Sequence, residues 1–229
     1  MTLPTRRILL LVPALITTGL LLDQFGGRWG QPLVVAATCL SFLWILHSVN
    51  GGGRTLMLLC LVYASIGEVL LSLVWRVYDY RLGNLPLFVP PGHVMLFLLG
   101  LTIAPRISDS MVRFVAVSAA ILVSALALTG RDTFSALLVA VFLASVVLGR
   151  ERKLYATMFV LALVMELYGT WLGNWHWNAQ VGRTGMVTLN PPVAAGAFYC
   201  ALDLLVMTTT RMLHRVTGRI APSVQSVQL

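Results

Sequence analysis

Eight apolar runs occupy most of the 229-residue sequence: Ile8 to Leu22, Pro32 to Val49, Thr55 to Trp75, Pro91 to Ala104, Met111 to Thr129, Thr133 to Leu148, Leu154 to Gly173 and Pro192 to Thr210. A membrane span needs about 20 mostly apolar residues. In hydrocarbon every backbone N–H and C=O must find a partner within the protein, so runs of this length fold as helices. The fourth run is short and opens on Pro90-Pro91-Gly92, a turn that also suits a tilted or re-entrant segment; full spanning is the expectation adopted. The fold expected is all-α, a polytopic membrane bundle of eight transmembrane helices forming a single membrane domain over 1–229, with 211–229 as a cytoplasmic tail.

Composition agrees with this reading and removes others. Hydrophobic residues make up 58% of the chain and charged residues 10%, with a mean hydropathy of +0.87, whereas a soluble domain is about 25% charged. The net charge of +8 comes from basic residues scattered one to three at a time, not from a stripe interleaved with aromatics, so no nucleic-acid partner is expected. Sorting those residues by side instead gives an orientation. With the N-terminus inside, the inner set is Arg6, Arg7, Arg54, Arg106, Arg113, Arg150, Arg152, Lys153, Arg211, Arg215 and Arg219, and the outer set is Arg28, Arg76, Arg81, Arg131 and Arg183. This imbalance places both termini in the cytoplasm, in a multi-pass protein of the cell inner (plasma) membrane. It also puts the loops Arg76 to Pro90 and Asn174 to Pro191 on the outer face.

The first run follows Arg6 and Arg7, but no small-x-small cleavage site precedes Asp23, so it is read as a retained helix. Cys39, Cys60 and Cys200 lie inside apolar runs without paired spacing and are read as small buried hydrophobes. Four scattered histidines and the lack of H-E-x-x-H, G-x-S-x-G, Walker and dinucleotide motifs leave no metal or cofactor expected.

The halves resemble each other. Run one starts near residue 8 and run five near 111; Glu68 lies in run three and Glu166 in run seven; Pro90-Pro91 opens run four and Pro191-Pro192 opens run eight. These offsets of about 100 residues define two four-helix repeats, 1–107 and 108–210. Four spans per repeat leave both halves in the same orientation, related by an axis along the membrane normal.

Ionisable groups inside spans are costly and usually face the bundle interior, paired or functional. Glu68, Glu166 and Asp203 are such groups, and His93 follows the Pro-Pro-Gly turn; these four are the candidate catalytic residues. Ser65, Glu68, Ser72 and Trp75 share one face of an α-helix. Gly169, Thr170 and Gly173 form a small-residue face suited to close helix approach. Asp203 shares a face with Gly196 and Tyr199. The two long loops supply the candidate substrate-binding residues Trp75, Tyr78, Tyr80, Arg81, Trp175, Trp177 and Asn190, joined by Tyr199 in run eight. Such aromatics also concentrate at membrane interfaces whatever the function. A binding role would make them an aromatic mouth, with Arg76, Arg81 or Arg183 meeting an anionic head group or Trp175 and Trp177 covering an apolar substrate.

Glu68, followed by Tyr78-x-Tyr80 and Leu85-Pro-Leu-Phe-Val-Pro90, resembles the pattern of the carotenoid hydratases, polytopic carotenoid-modifying membrane proteins; Glu166, Gly169, Gly173 and Trp175-x-Trp177 repeat it more loosely. The resemblance covers about 60 residues in two patches. It implies water addition or cyclisation on an isoprenoid chain, with Glu68 and Glu166 as the matching acidic positions. The sequence departs from it at Pro90-Pro91-Gly92-His93 and Asn190-Pro191-Pro192. The expected function is a membrane-embedded enzyme acting on a lipid or isoprenoid by carboxyl acid/base chemistry. Two other classes fit the same residues, a small proton-coupled transporter or flippase and a noncatalytic membrane assembly protein. The oligomeric state is left open.

Overall fold

The structure, a computed structural model, describes residues 5–182 and 184–216. Eight α-helices lie among them: α1 Thr5–Phe25, α2 Gly27–Ser48, α3 Gly51–Glu68, α4 Val89–Ile103, α5 Asp109–Leu128, α6 Phe134–Leu148, α7 Arg152–Leu172 and α8 Gly196–Val216. Two three-residue strands, β1 Tyr78–Tyr80 and β2 Trp175–Trp177, complete the framework. Local chemistry sets several ends. Asn50 Oδ1 accepts from the Gly53 N–H at 2.8 Å to start α3, and Ser108 Oγ accepts from Met111 N–H at 3.2 Å to start α5. Asp132 binds both the N–H and the hydroxyl of Ser135 at the start of α6 and reaches the Val193 N–H, tying that corner to the approach to α8.

Among the described residues five helical segments are long and apolar enough to cross a membrane: Arg6–Phe25, Gly27–Ser48, Gly51–Val74, Asp109–Leu128 and Arg152–Leu172. The chain is a membrane protein by this measure. Its outer surface is correspondingly greasy; Phe114, Ile121, Leu128 and Trp171 are all more than 60% exposed. α4 is different. It has 15 residues, a length of about 22 Å at 1.5 Å per residue, against a hydrocarbon core of about 30 Å. Ten of the fifteen are buried, because α1, α2, α3 and α7 surround it. A helix apolar on every side is a core helix, and α4 forms the centre of the bundle.

Two boundaries differ from the sequence reading. The third apolar run is not one α-helix: after Glu68 it continues as a π-helical turn over Val69–Val74. The eighth run becomes helical at Gly196, not Pro192, and continues to Val216, so the first six residues of the expected tail extend α8. The rest of that tail, with Arg219, and the loop residue Arg183 lie outside the described residues.

Candidate functional site

Both long loops begin in the same way. α7 ends at Gly173 with φ 84°, and the π turn after α3 is followed by Arg76 with φ 53°. Each left-handed residue turns the chain back across the bundle, and two residues later a strand starts. β1 and β2 pair antiparallel, with Tyr78 opposite Trp177, Asp79 opposite His176 and Tyr80 opposite Trp175. Bonds from Arg81 N to Asn174 O and from Asn178 N to Val77 O, both 2.9 Å, extend the ladder at its two ends. Side chains alternate across a strand, so Tyr78, Tyr80, Trp175 and Trp177 all share one face. That face is turned into the bundle, and Asp79 and His176 are exposed on the other.

Under that face lie the two glutamates. Glu68 Oε2 accepts from the Tyr78 hydroxyl at 2.9 Å and the Tyr80 hydroxyl at 2.6 Å, while Oε1 lies 2.8 Å from His93 Nε2. Glu166 Oε2 accepts from the indole N–H of Trp175 at 2.8 Å and of Trp177 at 3.0 Å, while Oε1 accepts from the Tyr199 hydroxyl at 3.3 Å. The His93 and Tyr199 rings stack with centroids 4.6 Å apart, joining the two sets. The π turn accounts for a spacing difference between them. Glu68 precedes its strand partner Tyr78 by ten residues, and Glu166 precedes Trp175 by nine; a π turn accommodates one extra residue per turn. Burial first, and then the Glu68 carboxylate, push the Tyr78 and Tyr80 phenols above the ordinary tyrosine range. Both therefore remain neutral O–H donors at physiological pH.

Glu68, Glu166, His93, Tyr199, Tyr78, Tyr80 and Trp175 line one cavity of about 70 Å³, closed by α1 and α2 through Gly19, Val34 and Thr38. By volume it holds a few waters or one small group. Among the described residues no lysine or arginine lines it. The structure thus brings most of the sequence-derived candidates together around this cavity and places the others apart from it. Asp203 lines neither this cavity nor the second one described below; it is wholly buried, and its carboxyl oxygens have no hydrogen-bond partner among the described residues. Arg81 is a brace, bonding the Asp23 backbone carbonyl and lying 3.5 Å from the Asp23 carboxylate at the end of α1. Asn190 is also a brace, accepting from Trp177 N–H at 2.9 Å and meeting the exposed His176 ring. Ser65, Glu68, Ser72 and Trp75 are all buried or half-buried, but the Ser65 and Ser72 hydroxyls donate to the carbonyls of Leu61 and Glu68, and Trp75 packs edge-on against Phe134.

Trp75 instead lines a second cavity, which adjoins Glu68, His93 and Tyr199 from the α3–α8 side. Sequence reasoning missed Asp23 and Asn174. The Asn174 amide bonds Leu20 O at 3.0 Å and Asp23 at 2.8 Å, fixing the start of β2 over the end of α1. The only signal was an acid at the end of an apolar run.

No protein-family model, no curated protein and no solved structure matches the chain.

Proposed function

We propose that this protein is a membrane-embedded enzyme acting on a lipid or isoprenoid, of the kind carotenoid hydratases modify, by carboxyl acid/base chemistry between Glu68 and Glu166. The observation that carries the reading is the convergence of two buried carboxylates, from distant parts of the sequence, on one small cavity walled by aromatic rings. Their partners differ, and so do the roles. Glu68 shares a hydrogen bond with His93, a pair able to hold a proton and pass it on. Indole N–H groups do not give up their protons, so Glu166 Oε2, which takes both of them, is held as an acceptor.

A proton from the Glu68–His93 pair adds to one carbon of an alkene, whose π electrons form the new C–H bond. The positive charge left on the other carbon is stabilised by Glu166 and by the faces of the surrounding rings. Loss of a proton to Glu166 gives a rearranged alkene; attack by water, with its proton going to Glu166, gives an alcohol.

The wider architecture belongs to the same proposal: eight spans in two four-helix repeats, 1–107 and 108–210, with both termini cytoplasmic in the inner (plasma) membrane. Packing supports the repeat, since α3 lies on α8 as its counterpart α7 lies on α4, and α1·α2 corresponds to α5·α6. An antiparallel strand pair has a local two-fold axis perpendicular to its plane, which β1 and β2 supply between the halves.

The test is lipid extraction from cells with and without the gene, complemented by the native chain, Glu68→Gln or Glu166→Gln. We expect the gene to change the structure of a lipid or pigment and each substitution to lower the yield by about 100-fold or more. Full restoration by both substitutions overturns the carboxyl mechanism, and movement of an unaltered lipid between leaflets points to transport instead.

A further inference from the structure

The glutamate cavity of about 70 Å³ is far too small for a lipid or isoprenoid, yet Glu68, His93 and Tyr199 also form part of the wall of the second, much larger one. That space holds about 460 Å³, within the range of ligand sites. It lies between α3 with its π turn on one side and α8 on the other. Tyr63 and Thr209, bonded at 2.8 Å, close one end, and Trp75 stands at the other. From residue 63 to residue 75 is roughly 18 Å along a helix. Ile66, Leu70, Val74 and Leu205 line this groove while being at least half exposed, so it opens sideways on the apolar surface of the bundle.

We infer that the α3–α8 groove is the binding site for the apolar chain of the substrate, admitted sideways from the bilayer, with its reactive end against His93 and Glu68. Three further observations point to that occupant. A Cβ at Gly67, on the groove wall, would meet nothing within 4 Å, whereas the α4–α7 interface is filled, with Met158 Sδ packed on Gly100. His93 stands at the polar end of the groove, and its buried Nδ1 has no hydrogen-bond partner among the described residues. Finally, the lining contains no lysine or arginine among the described residues. A phosphate head group would have no countercharge there, so the chain is one with an uncharged end, an alkene or an alcohol, and not a phospholipid acyl chain. Naming the reactive end rests on the acid/base reading; the location of the chain does not.

The experiment is photolabelling of the purified full-length protein in phosphatidylcholine nanodiscs with a diazirine-bearing C20 prenol, with the labelled residues mapped by mass spectrometry. A diazirine-bearing phosphatidylcholine serves as the parallel probe. The expected result is prenol labelling concentrated on 63–75 and 198–205, at least 5-fold reduced by excess unlabelled prenol and by Gly67→Phe or Ala201→Phe, and unchanged in Gly67→Ala. Glu68→Gln and Glu166→Gln should keep the labelling. If those two variants remain fully active while labelling holds, the acid/base reading fails and the groove stands. Labelling spread evenly over the lipid-facing helices, or concentrated in the groove only with the phospholipid probe, overturns the groove. So does prenol labelling that persists in both phenylalanine variants when they elute as the native protein does in size exclusion.

Discussion

Gly169 has no side chain, and the six-membered ring of Trp175 occupies the space that one would fill: a Cβ there would collide with Trp175 Cη2. The bare turn of α7 lets the indole lie across the helix and present its N–H to Glu166, one turn back. The sequence marks Gly169 as small without saying for whom. A close helix neighbour is the usual reason, but here the neighbour is a loop residue six positions on, and only the tertiary return of β2 reveals it. Gly169→Ala should destabilise the protein by about 1–3 kcal/mol through overpacking, read as a lowered unfolding midpoint in detergent. In a Trp175→Phe background the same substitution should cost little, because the shorter ring leaves room. Equal losses in the two backgrounds would mean that the indole does not lie on Gly169.

At the scale of elements, the two strands owe their placement to how α3 and α7 end. Gly173 is legible in advance, since a glycine after an apolar run commonly caps a helix in the left-handed region. Arg76 is not, because an arginine gives no hint of a positive φ. The π turn is equally silent in the sequence; only the ten-against-nine spacing from glutamate to aromatic pair betrays it, and that comparison needs the strand register. Arg76 is exposed and its left-handed backbone is strained. Arg76→Gly should therefore raise stability by about 0.5–1 kcal/mol after allowance for glycine's greater unfolded freedom, and Gly173→Ala should lower it by about 1–2 kcal/mol. Thermal unfolding of the two variants checks the pair. A loss of stability in Arg76→Gly would contradict a left-handed turn at that position.

Across the whole molecule, hydropathy alone marks out the eight helices, because the apolar runs and their polar breaks are dictated by the solvent each residue meets. It does not separate the central α4 from helices that face lipid, since both are apolar; the difference lies in the helices around α4. The glutamates are legible as rare carboxyls in apolar runs, and the aromatic pairs as loop residues. Their union depends on β1 meeting β2, which no local pattern announces. Asp203 shows the limit of that reasoning: an acid in an apolar run can be buried apart from the cavity that holds the others. Because everything proposed for Glu68 and Glu166 requires the two loops to pair over them, the most direct measurement is a disulfide across the strands. Asp79 and His176 face each other in a hydrogen-bonded pair on the exposed side, where Cα atoms lie about 5.5 Å apart, within disulfide reach. Asp79→Cys with His176→Cys, oxidised in isolated membranes and read by mass spectrometry of the linked peptides, should give a high yield of the bond within one chain. Leu82→Cys with His176→Cys should give little. No 79–176 bond in a folded, monodisperse protein, or one formed only between chains, would contradict the convergence of the two carboxylates.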